Sequence, residues 1–168
     1  MSGAVVWITG MPSSGKSTFA ELLAGKLRGE GRSVAILDGD RIRGCVVPTF
    51  GYEAVERENF YRTLANLAAY LEGQGLLVLV PATAHAARYR EVGRALAKRY
   101  VEVHIDVPQA VAQERDAKGL YGGVRAGKVR AMPGADLEYE PPSSPDVVAS
   151  GGQDAAAIQR VSELLGLK

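Results

Sequence analysis

Five short apolar runs divide the chain, and stretches with helical character lie between them. The runs are rich in valine, isoleucine and leucine and cover residues 4–9, 33–37, 76–80, 101–106 and 146–149. Helices are predicted over residues 17–28, 53–72, 86–99, 109–118 and 155–165. Apolar strands that alternate with helices are typical of a parallel sheet covered on both faces. The sequence therefore predicts a three-layer α/β fold with a mostly parallel five-stranded sheet.

Length and composition limit the class of protein. A chain of 168 residues is the size of one domain, so we expect a single domain over residues 1–168. A net charge of +1, from 20 basic and 19 acidic residues, argues against a nucleic-acid binder or a polybasic membrane-surface protein. The single cysteine, Cys45, excludes an internal disulfide and fits a reducing compartment. Without a signal-peptide pattern or a long apolar run, the protein is predicted to be cytoplasmic.

Residues 10–17 read GMPSSGKS and match the pattern G-x-x-x-x-G-K-[ST] between a predicted strand and a predicted helix. Its glycines let backbone N–H groups converge on phosphate oxygens at the positive end of the helix. We expect Lys16 to reach the β- and γ-phosphates of a nucleotide and Ser17 to bind Mg²⁺. A plain glycine-rich turn is the alternative, but the strand-to-helix context favours a phosphate site. The predicted nucleotide-binding residues are Gly10, Met11, Pro12, Ser13, Ser14, Gly15, Lys16, Ser17 and Thr18.

Two acidic residues follow the second predicted strand, in LDGDRIRG, and so belong to the edge of the sheet where the phosphate loop lies. Asp38 and Asp40 are candidates for holding Mg²⁺ or its waters, and one of them for accepting a proton from an attacking hydroxyl. Arg43 is a candidate for contacting a second, anionic substrate. The alternative is that Asp38 caps the following helix and Asp40 is solvated.

Two further stretches carry side chains suited to nucleotide substrates. Tyr52 and Arg57, at the start of the long helix, are suited to stacking on a base and pairing with an acid, although packing and exposure are the ordinary roles of such residues. Residues 118–145 are rich in glycine, proline and basic residues, including Lys118, and lack clear periodicity, which predicts a lid or a disordered loop. Just before this segment, Arg115 is suited to stacking on a base or pairing with a neighbouring acid.

The two histidines have different predicted roles. His104 lies in the middle of a predicted strand, where a packed histidine is the usual case. His85 lies at the predicted catalytic edge, but no acid or serine partner is evident in the sequence, and a base must reach the proton that it removes.

Together, these motifs identify a resemblance. The phosphate loop, LDGDRIR, FGYEAVER, RDAKGLYGGVRAGKV and YEPPSSPDVV occur in the order and with the spacing of the adenylylsulfate kinase (APS kinase) family. The resemblance extends over about residues 5–149. It implies a P-loop kinase fold with a lid, often a homodimer, and transfer of the γ-phosphate of ATP to the 3′-hydroxyl of adenosine 5′-phosphosulfate (APS).

The resemblance also assigns roles residue by residue. Asp40 matches the acid near the acceptor hydroxyl, and Arg43 and Arg57 match arginines that grip the phosphosulfate substrate. Lys118, with Leu120 and Tyr121, matches the lid segment beside that substrate. Arg115 matches a residue near the base of ATP. The implied catalytic residues are Lys16, Asp40 and Lys118.

Four departures lie mainly on the acceptor side. The family commonly has an asparagine where this chain has Arg41, and two phenylalanines that clamp the adenine where it has Tyr52 and Met132. A family asparagine aligns with Phe60, next to Asn59. The family's F-I-S-P-Y-R is here ATAHAA, residues 82–87.

The phosphate machinery is thus intact, whereas the acceptor pocket is altered. We expect an ATP- and Mg²⁺-dependent kinase acting on APS. One alternative is a kinase with another nucleotide-like or anionic alcohol acceptor, and another is a nucleotide-binding module without kinase activity.

Overall fold

The computed structural model describes residues 2–116 and 118–166. Its sheet has five strands, all parallel, in the order β2-β3-β1-β4-β5. The strands are β1 (Ala4–Thr9), β2 (Val34–Ile36), β3 (Leu77–Pro81), β4 (Tyr100–Ile105) and β5 (Val147–Ala149). Each overlaps a predicted strand, so the five-stranded sheet is confirmed and is wholly parallel.

Seven helices are present in the described part of the chain. They are α1 (Lys16–Gly29), α2 (Gly39–Cys45), α3 (Ala54–Gly73), α4 (Ala87–Leu96), α5 (Gln109–Arg115), α6 (Leu120–Arg125) and α7 (Ala155–Leu164). None of them is long and apolar enough to cross a membrane. Helices α2 and α6 were not predicted, because two turns or fewer give no readable apolar period.

The helix predicted over residues 86–99 ends early, at Leu96. The carboxylate of Glu72, at the end of α3, accepts hydrogen bonds from the backbone N–H groups of Lys98 (2.9 Å) and Arg99 (2.7 Å). These N–H groups would otherwise continue the helical ladder of α4. The predicted end of this helix was wrong because the competing acceptor, Glu72, is distant in sequence and leaves no signal within residues 86–99.

The predicted lid, residues 118–145, is more ordered than its composition suggests. It contains α6 and a turn in which the Asp136 carboxylate accepts from the N–H groups of Ala131 (2.7 Å) and Met132 (2.6 Å). At its far end, the Glu140 carboxylate accepts from Ala87 N–H (2.8 Å), and the Glu140 carbonyl accepts from Arg90 (2.8 Å). The far end of the segment is therefore tied to the body of the domain.

The core is divided between the two faces of the sheet. Along β1, Val6 and Ile8 pack on one face in a cluster that includes residues of α1 and α7, and Val5 and Trp7 pack on the other with α3 and α4. This alternation follows from the two-residue period of a strand. Helices cover both faces, so loops that follow the strands meet at the carboxyl edge.

Helix α4 approaches β1 so closely that only glycine fits at position 93. A Cβ at Gly93 would lie 2.9 Å from both Cε3 and Cζ3 of Trp7, and Trp7 is completely buried. We expect Gly93→Ala to lower the free energy of unfolding by about 1–3 kcal/mol, because a rigid core ring must move. Urea denaturation measures this change.

The matched control is Gly25→Ala in α1, where an added Cβ meets no atom within 4 Å. It should raise stability by about 0.5–1 kcal/mol, because alanine is the better helix former. Equal stability of Gly93→Ala and the wild-type protein would contradict the packing argument.

Candidate active site

A cavity of about 910 Å³ lies at the carboxyl edge of the sheet, between the phosphate loop and the lid. It gathers segments that are far apart in sequence. Of the predicted site residues, the cavity is lined by Pro12, Ser13, Gly15, Lys16, Ser17, Thr18, Asp38, Asp40, Arg43, Tyr52, Arg57, Arg115, Lys118, Leu120 and Met132. The other three, Gly10, Met11 and Ser14, belong to the phosphate loop but are not part of the cavity wall.

The phosphate loop is shaped by close contacts at both of its glycines. A Cβ at Gly10 would lie 2.7 Å from Ser14 Oγ, and one at Gly15 would lie 2.7 Å from the nitrogen of Gly152. Gly15 also has a φ of +104°, which favours glycine. The hydroxyls of Ser13 and Ser14 are buried without a hydrogen-bond partner. The loop thus retains free donors, as a phosphate site requires.

Lys16 lies across this loop. Its Nζ donates to the carbonyls of Gly10 (3.0 Å) and Met11 (2.8 Å). Burial lowers the pKa of Lys16 to about 7, and the negative charge of Asp40 opposes this shift. An anionic phosphate beside the ammonium group would favour its charged form further.

Asp38 caps the following helix, which was the alternative considered for it, and its other carboxylate oxygen contacts Ser17. Its Oδ1 accepts from the N–H groups of Asp40 (3.1 Å) and Arg41 (3.3 Å) and so caps α2. Its Oδ2 accepts from Ser17 Oγ at 2.6 Å. A hydroxyl and a carboxylate oxygen side by side fit Mg²⁺, which prefers oxygen ligands and is often completed by substrate phosphates and water. Accordingly, the described residues contain no group of three or more His, Cys, Asp or Glu that could hold a metal ion by itself.

Asp40 and Lys118 connect the two sides of the cavity. Lys118 Nζ, in the lid, donates to Asp40 Oδ2, and both side chains are more than half exposed. Asp40 is one residue into α2, but its carboxylate does not cap the helix. A carboxylate and an ammonium group are thus held together at the mouth of the cavity.

Arg43 is buried, although it is charged. It donates through Nη1 to the carbonyls of Phe50 (3.1 Å) and Gly51 (2.8 Å). Its guanidinium carbon lies 3.8 Å from the ring centroid of Phe60 and 4.5 Å from that of Tyr52. Phe60 therefore provides an aromatic surface for Arg43.

Arg57 is also buried, which differs from the usual exposure of an arginine at a helix start. Its Nε donates to the carbonyl of Tyr52 (2.8 Å) and its Nη2 to the carbonyl of Ala131 in the lid. Its Nη1 lies 3.5 Å from Nδ1 of His85. Neither Arg43 nor Arg57 has a carboxylate within 4.0 Å in the described part of the chain. Two guanidinium charges at the cavity wall are therefore without an anionic partner.

The two positions expected to clamp a base both line the cavity, but they differ in rigidity. Tyr52 is 58% exposed, whereas Met132 is 4% exposed and packs with Ala112 and Tyr121. One wall is thus an open ring and the other a buried, flexible thioether. Asn59 is exposed and takes no part in the cavity wall, so it does not replace the asparagine whose place Phe60 occupies.

Residues 82–87, which lack the family's serine and tyrosine, are supported from α3. Ala84 has a φ of +40°, and its N–H donates to the hydroxyl of Tyr61 at 3.1 Å. Tyr61 and Thr83 both line the cavity. Sequence reasoning overlooked these two residues, although the hydroxyl of Thr83 in the quoted loop was a visible signal.

Behind this loop lies a buried charge network that the sequence also did not reveal. Arg90 is 3% exposed and donates through Nη1 to the Ala84 carbonyl (2.6 Å). Its Nε lies 3.2 Å from Glu102 Oε1, and Arg94 lies 3.2 Å from the other oxygen of Glu102. The network fixes the backbone between β3 and α4 behind the cavity.

Comparisons with known proteins agree with this geometry. Residues 2–150 match the family described as Adenylylsulphate kinase. The chain is 38% identical to the adenylyl-sulfate kinase of Aeromonas salmonicida over 164 residues, which are 96% of this chain and 83% of that protein. It is 38% identical to the adenylyl-sulfate kinase of Microcystis aeruginosa over 145 residues, 86% of this chain and 80% of that protein.

A solved structure gives the same result in three dimensions. The APS kinase of Mycobacterium tuberculosis, in complex with AMPPNP and APS, superposes with a TM-score of 0.91 at 34% identity and covers 98% of each chain. A Sinorhizobium meliloti gluconokinase, at 19% identity and a TM-score of 0.58, shares the fold alone. From the family match over most of the chain and from relatives above one-third identity, the chain belongs to the adenylylsulfate kinase family, whose members transfer a phosphoryl group from ATP.

Proposed function

We propose that this protein transfers the γ-phosphate of ATP to the 3′-hydroxyl of APS, giving 3′-phosphoadenosine 5′-phosphosulfate. The observation that carries the proposal is the shared cavity. One side of it is a phosphate loop, and the other holds the two buried guanidinium groups of Arg43 and Arg57, to which no described residue brings a carboxylate within 4.0 Å. A dianionic second substrate would supply the missing charge.

The phosphate loop side binds ATP. Backbone N–H groups of the phosphate loop and the hydroxyl of Ser13, which lines the cavity, are available to phosphate oxygens, and Lys16 adds a positive charge. Ser17 and Asp38 would hold Mg²⁺ together with the phosphates, and the ion would neutralise charge that develops on them. Arg115 lines the cavity at the end of α5 and would lie near the base of ATP.

Asp40 acts at the acceptor. Its carboxylate would orient the 3′-hydroxyl and accept its proton as the hydroxyl oxygen forms a bond to the γ-phosphorus. The bond from that phosphorus to the bridging oxygen then breaks, and ADP leaves. Lys118 belongs to the lid and would lie beside the transferring phosphoryl group. There its positive charge would stabilise the transition state.

The acceptor is held at its charged end and at its base. Arg43 and Arg57 would bind the phosphosulfate group, while Tyr52, Met132 and Leu120 would surround the adenine. Met132 and the loop 82–87 differ from the usual family pattern, so another nucleotide-like or anionic alcohol acceptor is the second candidate. This second candidate is supported by where the chain differs from the family pattern. Every difference apart from Arg41 lies on the acceptor side of the cavity or in the loop behind it.

Assembly as a homodimer and residence in the cytoplasm complete the proposal. Val47 and Val55 are exposed apolar side chains near the start of α3 and outside the cavity, a surface that a second copy would cover. The exposed thiol of Cys45 fits a reducing compartment.

Analytical ultracentrifugation tests the homodimer and should give twice the chain mass. A species of single-chain mass across the micromolar range would contradict the dimer.

The acceptor assignment is tested by comparing APS with a panel of nucleotides and anionic alcohols in an ATP-consumption assay. We expect APS to have the highest kcat/KM. The Asp40→Asn variant should lose about 10²–10⁴-fold in kcat, because its amide cannot accept the proton, with little change in the KM for ATP.

Glu91→Gln is the control for charge loss, since Glu91 is exposed on α4 outside the cavity. It should keep the wild-type rate. Turnover with another acceptor but none with APS would overturn the APS assignment, and full activity of Asp40→Asn would overturn its role.

Stacking of the acceptor base is tested at Tyr52. The ring is 58% exposed, so Tyr52→Ala should leave stability almost unchanged. We expect about a tenfold increase in the KM for APS, because an aromatic–base contact is worth about 1–3 kcal/mol, and no change in the KM for ATP.

Tyr70→Ala offers a matched control, since Tyr70 lies on α3, the helix that follows Tyr52, is 67% exposed and is outside the cavity. It should behave like the wild-type protein. If Tyr52→Ala raised both KM values equally, the base would not be held there.

A further inference from the structure

His85 is a polar side chain to which the proposed transfer assigns no role. It lies in the loop between β3 and α4, and it is 8% exposed. It does not line the cavity between the phosphate loop and the lid, but it contacts Arg57, which does. Any effect of His85 on the acceptor must therefore pass through another residue.

The imidazole ring is held on more than one side. Its Nδ1 lies 3.5 Å from Nη1 of Arg57, and its ring meets the ring of Tyr89 edge to face, with centroids 5.3 Å apart and an interplanar angle of 67°. The backbone carbonyl of His85 also accepts from Glu140 N–H at 2.8 Å. The loop between β3 and α4, helix α4 and the end of the lid together fix the direction of Nδ1.

The hydrogen-bonding capacity of Arg57 determines the tautomer of His85. A guanidinium has N–H donors and no acceptor, so a hydrogen bond between the two requires an Nδ1 lone pair and a proton on Nε2. Burial lowers the pKa of His85 to about 4, Arg57 and Arg88 add to this shift together with Arg90, and Glu140 opposes it. His85 is therefore neutral at pH 7, as an acceptor must be.

Three segments converge on Arg57 as hydrogen-bond acceptors. The carbonyls of Tyr52 and Ala131 bind Nε and Nη2, and His85 approaches Nη1. Among the described residues, Nδ1 of His85 is the acceptor that Nη1 of Arg57 meets on the side of the β3–α4 loop. The distance of 3.5 Å is at the long end for a hydrogen bond, so its effect should be modest.

We propose that His85 is a positioning residue that holds the Arg57 guanidinium in the direction from which it binds the acceptor's anionic group. The inference rests on the proposed function, because it takes Arg57 as a ligand of the acceptor. His85 touches neither substrate and acts only through Arg57.

Steady-state kinetics test the effect on binding. His85→Leu should raise the KM for APS about 3- to 10-fold, as expected for the loss of one hydrogen bond, while kcat and the KM for ATP stay within about twofold. His85→Asn places an amide oxygen near the position of Nδ1 and should restore most of the KM. An unchanged KM for APS in His85→Leu, or an equal rise in both KM values, would overturn the proposal.

His104→Leu is the matched control. His104 is the other histidine of the chain, is partly buried in β4 and faces Tyr139, with ring centroids 6.1 Å apart. It should keep the wild-type KM for APS. A rise equal to that of His85→Leu would mean that loss of any buried histidine has this effect, which contradicts positioning.

A nuclear magnetic resonance measurement is independent of turnover. Nitrogen-15 shifts of the ligand-free protein should show His85 neutral at pH 6 with its proton on Nε2, and Arg57→Ala should raise its pKa by removing a positive neighbour. A proton on Nδ1, or titration near the ordinary value of about 6.5, would overturn the proposal. If the wild-type protein fails to phosphorylate APS, the proposed function fails, whereas this measurement still decides whether His85 accepts from Arg57.

Discussion

The common direction of the five strands determines where every functional segment lies. Because the sheet is parallel, the loops that follow β1, β2, β3 and β4 emerge at one edge. The loop after β1 is the phosphate loop, and the one after β2 carries Asp38 and Asp40. The loop after β3 forms the wall that includes Thr83, and β4 leads through α5 to the lid. A single antiparallel strand would have placed one of these segments on the opposite edge, away from the cavity.

Three buried arginines then shape the acceptor side of this edge. Arg43, Arg57 and Arg90 are 8%, 6% and 3% exposed, and each donates to backbone carbonyls. Burying a charge is costly unless an opposite charge lies near it. Arg90 has such a partner in Glu102, and its role is to hold the loop behind the cavity. Within residues 2–116 and 118–166, the two arginines without an acidic partner are those that line the cavity. This is the distribution expected of a site that binds an anionic substrate.

The sequence predicted the sheet, five of the helices and the residues around the cavity, because strands of continuous apolar residues and a phosphate-loop pattern are local signals. It did not predict α2 or α6, which are too short to show a period. It also placed the end of α4 too late, because Glu72, 26 residues before Lys98, captures the N–H groups there. The contact between Arg43 and Phe60 joins α2 to α3, and the Tyr61–Ala84 hydrogen bond joins α3 to the loop after β3. The sequence of one segment gives no signal of contacts with another segment. From the sequence, Phe60 could therefore be recognised only as a departure from the family pattern.

The two halves of the cavity differ in how their geometry is specified. The phosphate side comes from one contiguous loop whose glycines leave no room for a Cβ, so its shape tolerates little change. The acceptor side is assembled from α2, α3, the loop after β3 and the lid, and its side chains can be replaced one at a time. Phe60 supports Arg43 through its ring face, and His85 approaches Arg57 from a position where the family has a proline. Both replacements leave the guanidinium charges in place, whereas Met132 changes the surface offered to a base. Members of this fold that prefer different acceptors should therefore differ more in the residues that contact the base than in the arginines that bind the anionic group.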